Sequence, residues 1–98
     1  MVTEDAVAVP PSNPLTSCHV VVAPKRHVET FYDLDVEEQR AVWLLVKEIR
    51  TRITASLKVE AFSVGFADGG HAHVHVVPRS PGESVVLPSG IDWVNPDQ

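Results

Sequence analysis

The segment HAHVHVV, residues 71–77, places histidines at alternate positions with small or branched apolar residues between them. In a β-strand, residues two apart point to the same face. The alternation therefore predicts a strand that presents a row of imidazoles on one side and buries Ala72, Val74 and Val76 on the other. A chain that contains this strand needs a sheet to pair with it and a second layer to cover its apolar face.

The covering layer is predicted by the segment DLDVEEQRAVWLLVKEIRTRITASL, residues 33–57. Asp35 is the expected N-cap, and Glu37 and Glu38 follow in the first turn, where acidic side chains are favourable. The pattern predicts an amphipathic helix of about 20 residues. Its apolar stripe recurs at steps of three and four residues and comprises Val42, Leu45, Val46, Ile49, Ile53 and Leu57.

Other apolar runs have the length and composition of strands: residues 6–9, 20–22 and 59–67. The sequence DGG follows the last of them and predicts a hairpin with the histidine strand. The tail, residues 79–98, is rich in Pro, Gly and Ser but carries apolar residues that need a packing partner. We therefore expect an α+β fold, an antiparallel sheet of about five strands with one long helix, in a single domain over residues 1–98.

Composition excludes several classes of partner. The net charge is −5 with histidine neutral, so a nucleic acid is not the expected ligand. The single cysteine, Cys18, excludes an internal disulfide and a cysteine-based zinc site. No apolar run approaches the roughly 20 residues that cross a membrane. The first fourteen residues are acidic and proline-containing, unlike a secretory signal, and we expect a cytoplasmic protein.

A row of imidazoles is compatible with three kinds of surface. It can be a solvated or hydrogen-bonded sheet face, although chance clustering of this kind is uncommon. It can bind a metal, because neutral imidazole is a common zinc ligand and residues two apart on a strand can share one ion. It can also be catalytic, with a neutral imidazole attacking phosphorus and carrying the group covalently. Spacing alone favours metal binding and catalysis equally.

The motif HAHVHVV matches the His-φ-His-φ-His-φ-φ signature of the histidine triad (HIT) superfamily, where φ is apolar. NPLTSCHVVVAPKRHV, residues 13–28, resembles the family's P-x-x-x-G-H-x-L-V-x-P-K-x-H element, and FSVGFADG, residues 62–69, resembles the strand before the triad. The chain thus resembles short bacterial-type HIT proteins from about residue 6 to residue 94. The resemblance favours catalysis over metal binding and implies a HIT-like fold, no cofactor and a homodimer.

The resemblance also implies roles for individual residues. His73 becomes the nucleophile on the α-phosphorus of a nucleotide, and His75 contacts the phosphate and assists the leaving group. His71 supports the row, and His19 is a fourth imidazole lining the site. The implied activity is hydrolysis or nucleotidyl transfer on a nucleoside phosphoramidate or a dinucleoside polyphosphate, as in diadenosine tetraphosphate hydrolases, through a covalent His–nucleotide intermediate.

Two further positions are candidates for phosphate binding. Arg79 immediately follows the histidine strand, and a guanidinium can bind phosphate oxygens in a bidentate manner. Gly70 can present its backbone N–H to an anion, although a tight hairpin turn is a sufficient reason for both Gly69 and Gly70. His27 is assigned to the surface or to anchoring a loop. We assign no residue as a metal ligand.

Several positions depart from the family pattern. Pro11 stands where members usually carry an Asp or Asn that binds ribose, and Ala67 stands where they usually carry Asn. Cys18 replaces the glycine before the first histidine of the upstream element, and the loop before His71 is short. These departures keep an alternative open: a catalytically weak nucleotide- or metal-binding module that retains the HIT fold.

Overall fold

A computed structural model describes residues 1–68, 70–83 and 85–94 of the chain. It contains a five-stranded antiparallel sheet in the order β1-β2-β4-β3-β5 and one long helix, which confirms the predicted α+β fold. No helix in these residues has both the apolar composition and the length that a bilayer crossing needs. The elements are β1 (Ala6–Val9), β2 (Val20–Pro24), a 3-10 turn (Phe31–Asp33), α1 (Val36–Ser56), β3 (Ala61–Ala67), β4 (His73–Arg79) and β5 (Asp92–Val94).

The start of α1 is fixed by a capping box. The Asp35 carboxylate accepts from the backbone N–H of Glu38 at 2.8 Å, and the Glu38 carboxylate accepts from the backbone N–H of Asp35 at 3.1 Å. Arg26, in the loop after β2, donates to both oxygens of Glu38 at 2.7 and 2.8 Å. These hydrogen bonds hold the pKa of Glu38 at about 2. Arg26 therefore ties the β2 loop to the helix and is not directed toward a ligand.

The helix covers one face of the sheet. Its buried stripe consists of Val42, Leu45, Val46, Ile49 and Ile53, as the sequence predicted. On β4 the residues that face this stripe are Val74 and Val76, which are 0% and 1% exposed. Because neighbouring residues of a strand point to opposite faces, His73 and His75 lie on the uncovered face. The same alternation that builds the core thus places the imidazoles outside it.

The prediction that His71, His73 and His75 lie together on one strand is wrong for His71. Strand β4 begins at His73, which is paired with Ala67 at the end of β3. Before that point the backbone N–H of Ala72 donates to the carbonyl of Val28 at 2.8 Å, so the chain has left the sheet. His71 lies in this connection, and its ring Nε2 hydrogen-bonds the carbonyl of Pro24 at 2.9 Å.

The loop before β2 contains the one non-glycine residue with positive φ among the described residues, Cys18, at φ 66°. A side chain in this left-handed region costs roughly 1–2 kcal/mol, whereas glycine adopts it freely. Cys18 stands at a position that is glycine in the family the sequence resembles, and it therefore introduces local strain directly before His19.

We expect Cys18→Gly to raise the free energy of unfolding by about 0.5–1 kcal/mol, because relief of the strain exceeds the entropy that glycine adds to the unfolded chain. Urea denaturation measures the change. Ser17→Gly is the matched control, since Ser17 is exposed in the same turn and has no positive φ. A loss of stability in both variants would contradict the assignment of strain to Cys18.

Candidate active site

The uncovered face of the sheet carries a hydrogen-bonded chain of imidazoles. Nε2 of His19 lies 3.0 Å from Nδ1 of His75, and Nε2 of His75 lies 3.2 Å from Nε2 of His73. His73 and His75 come from β4, and His19 immediately precedes β2, whose Val21 is paired with His75. The structure therefore brings together three of the four predicted site imidazoles.

Backbone groups at the two ends of this chain fix its proton positions. At one end the N–H of Leu15 donates to Nδ1 of His19 at 3.0 Å, so a neutral His19 carries its proton on Nε2 and donates to Nδ1 of His75. At the other end Nδ1 of His73 lies 2.8 Å from the carbonyl of His71. A carbonyl only accepts, so His73 carries its proton on Nδ1.

Both ends lead to the same assignment for the central ring. Nε2 of a neutral His73 holds a lone pair, so it accepts from the Nε2 proton of His75. Nδ1 of His75 is then free to accept from His19, as the Leu15 end of the chain also requires. One consistent set of tautomers exists, and every imidazole in it is neutral.

The electrostatic environment supports the neutral state. Burial lowers the pKa of His19. Burial is also the main cause that lowers the pKa of His75 to about 4, and electrostatic repulsion from His73 and His19 adds to it. An added proton on His75 would also place two N–H groups face to face with no acceptor between them. In this set of tautomers each of the three imidazoles carries one ring proton, and none carries a second proton that could be transferred.

This arrangement gives His73 the properties of a nucleophile. The carbonyl of His71 holds its Nδ1 proton, which orients the ring and leaves the Nε2 lone pair as the reactive site. The Nε2 proton of His75 points at the same position, where it is available to an oxygen of a bound electrophile. An imidazole lone pair and a hydrogen-bond donor are thus adjacent, an arrangement that is chemically suited to nucleophilic attack.

His71 and His27 form a separate pair beside this chain. Their ring centroids lie 4.9 Å apart, and both residues are exposed. The backbone carbonyl of His71 accepts from His73, while its side chain hydrogen-bonds the carbonyl of Pro24, and the supporting role of this imidazole stays a prediction. His27 therefore contacts His71 but not the hydrogen-bonded imidazoles.

The two predicted phosphate-binding residues are not brought to the imidazoles by the contacts observed. Arg79 lies at the far end of β4, and its Nε is 3.9 Å from the carboxylate of Glu60. Gly70 has φ 74° and lies at the exposed end of the connection, with open space around it. Gly69 lies outside the described residues.

Residues that the sequence analysis did not select also belong to this site. The indole of Trp93 in β5 lies 6.0 Å from the ring of His75, between ring centroids. The hydroxyl of buried Thr16 donates to the carbonyl of Pro78 at 2.6 Å and holds the loop that carries Leu15 against β4. Neither contact leaves a periodic signal, because each joins segments distant in sequence.

A cavity of about 400 Å³ lies next to His19. The imidazole of His19, which is 4% exposed, forms part of the wall of this cavity. The cavity therefore provides a largely apolar space beside one end of the imidazole chain. Its other lining residues are Met1, Ala8, Val9, Pro10, Pro14, Thr16, Ser17, Cys18, Val20 and Ile49.

The described part of the chain contains no group of three or more His, Cys, Asp or Glu side chains arranged to hold a metal ion. The imidazole nitrogens that face one another are instead paired by hydrogen bonds.

Comparison with known proteins agrees with the motif and the fold. The model of the HIT domain family matches residues 1–82. The chain belongs to the HIT family. Among curated relatives it is 29% identical over 77 residues to the bifunctional bis(5'-adenosyl)-triphosphatase/adenylylsulfatase FHIT of Arabidopsis thaliana, covering 71% of this chain and 43% of that protein. It is 30% identical to the bis(5'-adenosyl)-triphosphatase of Dictyostelium discoideum, covering 79% of this chain and 56% of that protein.

The chain thus spans about half the length of these curated HIT relatives. Among solved structures, the NitFhit protein of Caenorhabditis elegans superimposes with a TM-score of 0.79 at 25% identity, covering 88% of this chain and 23% of that one. A zinc-bound histidine triad family protein from Mycobacterium smegmatis also gives a TM-score of 0.79, at 23% identity over 89% of this chain and 68% of that one. These likenesses establish the HIT fold.

The lowered pKa of His75 predicts a pH-dependent stability. In the unfolded chain the imidazole of His75 has its ordinary pKa of 6.5, whereas in the folded protein its pKa is about 4. The unfolded state therefore binds more protons in this window, and stability falls as the pH is lowered from about 7 to 4. Denaturation with urea at several pH values measures this slope.

His75→Gln should reduce that slope and leave the part that comes from the lowered pKa of His19, whereas His27→Gln, outside the imidazole chain, should keep the parental slope. The pKa of Glu38 is lowered from 4.5 to about 2, so its contribution to the pH dependence of stability lies at lower pH than that of the imidazoles. Equal slopes in the parent and in His75→Gln would contradict the assignment.

Proposed function

We propose that this chain is a cytoplasmic nucleotide hydrolase or nucleotidyl transferase that uses Nε2 of His73 to attack the α-phosphorus of its substrate. The observation that carries the proposal is the fixed tautomer of His73, whose Nδ1 proton is held by the His71 carbonyl at 2.8 Å. Membership of the HIT family and the relatives named as bis(5'-adenosyl)-triphosphatases support the nucleotide substrate.

The proposed reaction has two steps. In the first, the lone pair of His73 Nε2 forms a bond to the α-phosphorus, and the bond from phosphorus to the leaving oxygen breaks, with its electron pair departing on that oxygen. In the second, a water oxygen attacks the same phosphorus, the P–N bond breaks with its pair returning to Nε2, and the proton of the water is released to solvent. The products are a nucleoside monophosphate and the leaving group.

His75 assists without being consumed. When phosphorus occupies Nε2 of His73, the Nε2 proton of His75 loses its acceptor and donates instead to a phosphoryl or leaving oxygen. A preorganised donor directed at developing negative charge lowers the barrier. His19 keeps the His75 ring oriented by donating to its Nδ1 at 3.0 Å.

The neutral imidazole chain favours one of the two expected substrate classes. A polyphosphate leaves as a stable anion and needs only hydrogen bonds, whereas an amine leaving from a phosphoramidate must be protonated. The hydrogen bonds of the three imidazoles are consistent with one neutral set of tautomers, which holds no spare proton, and burial lowers the pKa of His75. A dinucleoside polyphosphate is therefore the preferred substrate in this proposal.

Substrate recognition is expected to be weak. Ala67 lies directly opposite His73 on β3, where it offers no side-chain hydrogen bond, and Pro11 likewise has no side-chain acceptor for the ribose hydroxyls. Each missing hydrogen bond to a charged group costs on the order of 1.5–3 kcal/mol of binding. The cavity beside His19 is the proposed position of the nucleoside. Phosphate binding by Arg79 and Gly70 stays a prediction that the observed contacts do not favour.

The missing side-chain hydrogen bonds at Ala67 and Pro11 also support a second candidate function. This is a nucleotide-binding module that keeps the fold and has lost efficient turnover. Calorimetry with adenosine 5'-monophosphate together with an activity assay separates the two functions. Binding without turnover in the parent would identify the module.

We expect His73→Ala to reduce hydrolysis of diadenosine triphosphate by roughly 10³-fold or more, because the nucleophile is lost. Product formation is followed by chromatography, and intact-mass spectrometry of the quenched parent should show adenylate attached at His73. Diadenosine triphosphate should be turned over faster than adenosine phosphoramidate at neutral pH.

His27→Ala is the matched control, since it removes an imidazole that is not hydrogen-bonded to the reacting pair, and it should retain the parental rate. Unchanged turnover in His73→Ala, or an adduct that maps to another residue, would end the proposed mechanism.

We also propose that the chain forms a homodimer through the apolar groove between α1 and the β3–β5 edge. The groove encloses about 360 Å³ and is lined by Trp43, Val64, Phe66 and Val94. Trp43 and Val94 remain 42% and 48% exposed although the groove around them is apolar. A second copy of the chain would bury these side chains, in agreement with the dimer implied by the family resemblance.

Sedimentation velocity at micromolar concentration should therefore give the mass of a dimer, and Val94→Glu should shift it to the monomer by placing a charge in the groove. Val86→Glu is the matched control, because Val86 is 89% exposed and lies outside the groove. A monomeric parent would refute the dimer.

A further inference from the structure

Strand β5 brings an indole to the imidazole-bearing face. His75 is paired with Gly65 across β4 and β3, and Gly65 is paired with Trp93 across β3 and β5. Cross-strand partners point to the same side of a sheet, so the imidazole and the indole stand on one face with Gly65 between them. The indole N–H donates to the carbonyl of Pro88 at 3.0 Å, which fixes the orientation of the ring.

The absence of a side chain at Gly65 allows the two rings to approach each other. Adjacent strands lie about 4.8 Å apart, so side chains two strands apart are separated by about 10 Å at their bases. The ring centroids of His75 and Trp93 are only 6.0 Å apart, and the rings therefore lean together over Gly65. A β-carbon at this glycine would come within 2.6 Å of the indole and of Ile91.

We propose that Trp93 is a positioning residue for the reaction at His73: its indole, seated over Gly65, shields His75 from water and holds it in the imidazole chain. The effect on turnover rests on the function proposed above. The effect on His75 itself does not, because it concerns the solvation of one imidazole and is measurable without a substrate.

Val21, the partner of His75 on β2, and buried Val77, the next residue on the same face of β4, lie on two other sides of this ring, and its β3 side is left to Trp93. Strand β4 contributes His73, the loop before β2 contributes His19, and β3 contributes only the backbone of Gly65. Both imidazoles oppose protonation of His75, but burial is the larger cause of its lowered pKa, and Trp93 is the large ring that covers its β3 side. Loss of the indole admits water, which stabilises the imidazolium.

A protonated His75 carries a proton on both ring nitrogens and no longer accepts from His19. The hydrogen bond that orients its ring is then lost, and with it the alignment of the donor beside Nε2 of His73. Trp93 thus acts on the reaction through His75 rather than by touching the reacting atoms.

The test is an NMR titration of the histidine side chains in parent protein and in Trp93→Ala. The pKa of His75 should rise by roughly one unit in the variant, and the acidic limb of the kcat/KM profile for diadenosine triphosphate should move upward in pH by the same amount. Trp93→Phe keeps an aromatic cover and should restore most of the parental values. Tyr32→Phe, at an aromatic residue that is 88% exposed in the 3-10 turn, should leave both unchanged.

A double-mutant cycle with Gly65→Ala tests the seating of the indole. Gly65→Ala should raise the pKa of His75 by displacing Trp93, but should have little further effect on that pKa in Trp93→Ala, where Ile91 is the side chain that still lies close to the added β-carbon. An unchanged His75 titration in Trp93→Ala would overturn the inference, as would equal effects of Gly65→Ala with and without the indole. A parent that titrates as expected but hydrolyses nothing would refute the proposed function alone.

Discussion

The site depends on two backbone groups that have fixed hydrogen-bonding roles. The N–H of Leu15 can only donate a hydrogen bond, and the carbonyl of His71 can only accept one. Between these two groups lie three imidazoles, each of which can donate or accept through either ring nitrogen. Their opposite roles set the direction of every hydrogen bond between them. The buried hydroxyl of Thr16, bonded to the carbonyl of Pro78, keeps the Leu15 end in place against β4.

Much of the fold was predictable because it follows from periodicity. Alternating residues of β4 divide between the core and the open face, and the stripe of α1 covers Val74 and Val76 as its three- and four-residue spacing required. The N-cap at Asp35 was also predicted, since capping depends on residues close in sequence. Local patterns therefore determined the layers of the structure.

The site was predictable only in part, because it depends on contacts between distant segments. His71 leaves the row because Ala72 bonds the carbonyl of Val28 instead of continuing the sheet. The role of Leu15 belongs to a backbone N–H, which every residue except proline has, so no residue type marks it. Trp93 reaches His75 only because a glycine lies between them on β3, which nothing near Trp93 in the sequence reveals.

The sheet uses its two faces for opposite purposes. On the helix side, burial of Val74 and Val76 stabilises the fold by removing apolar surface from water. On the other side, partial burial of His75 makes the charged imidazole less favourable, because it removes part of the solvation of the charge. The neutral imidazole is therefore the stable form. In the proposed reaction that selection has a chemical consequence: a neutral imidazole chain supplies a lone pair and a hydrogen bond but no free proton. Such a site suits a leaving group that departs as a stable anion, and in our proposal the indole of Trp93 over Gly65 keeps water away from it.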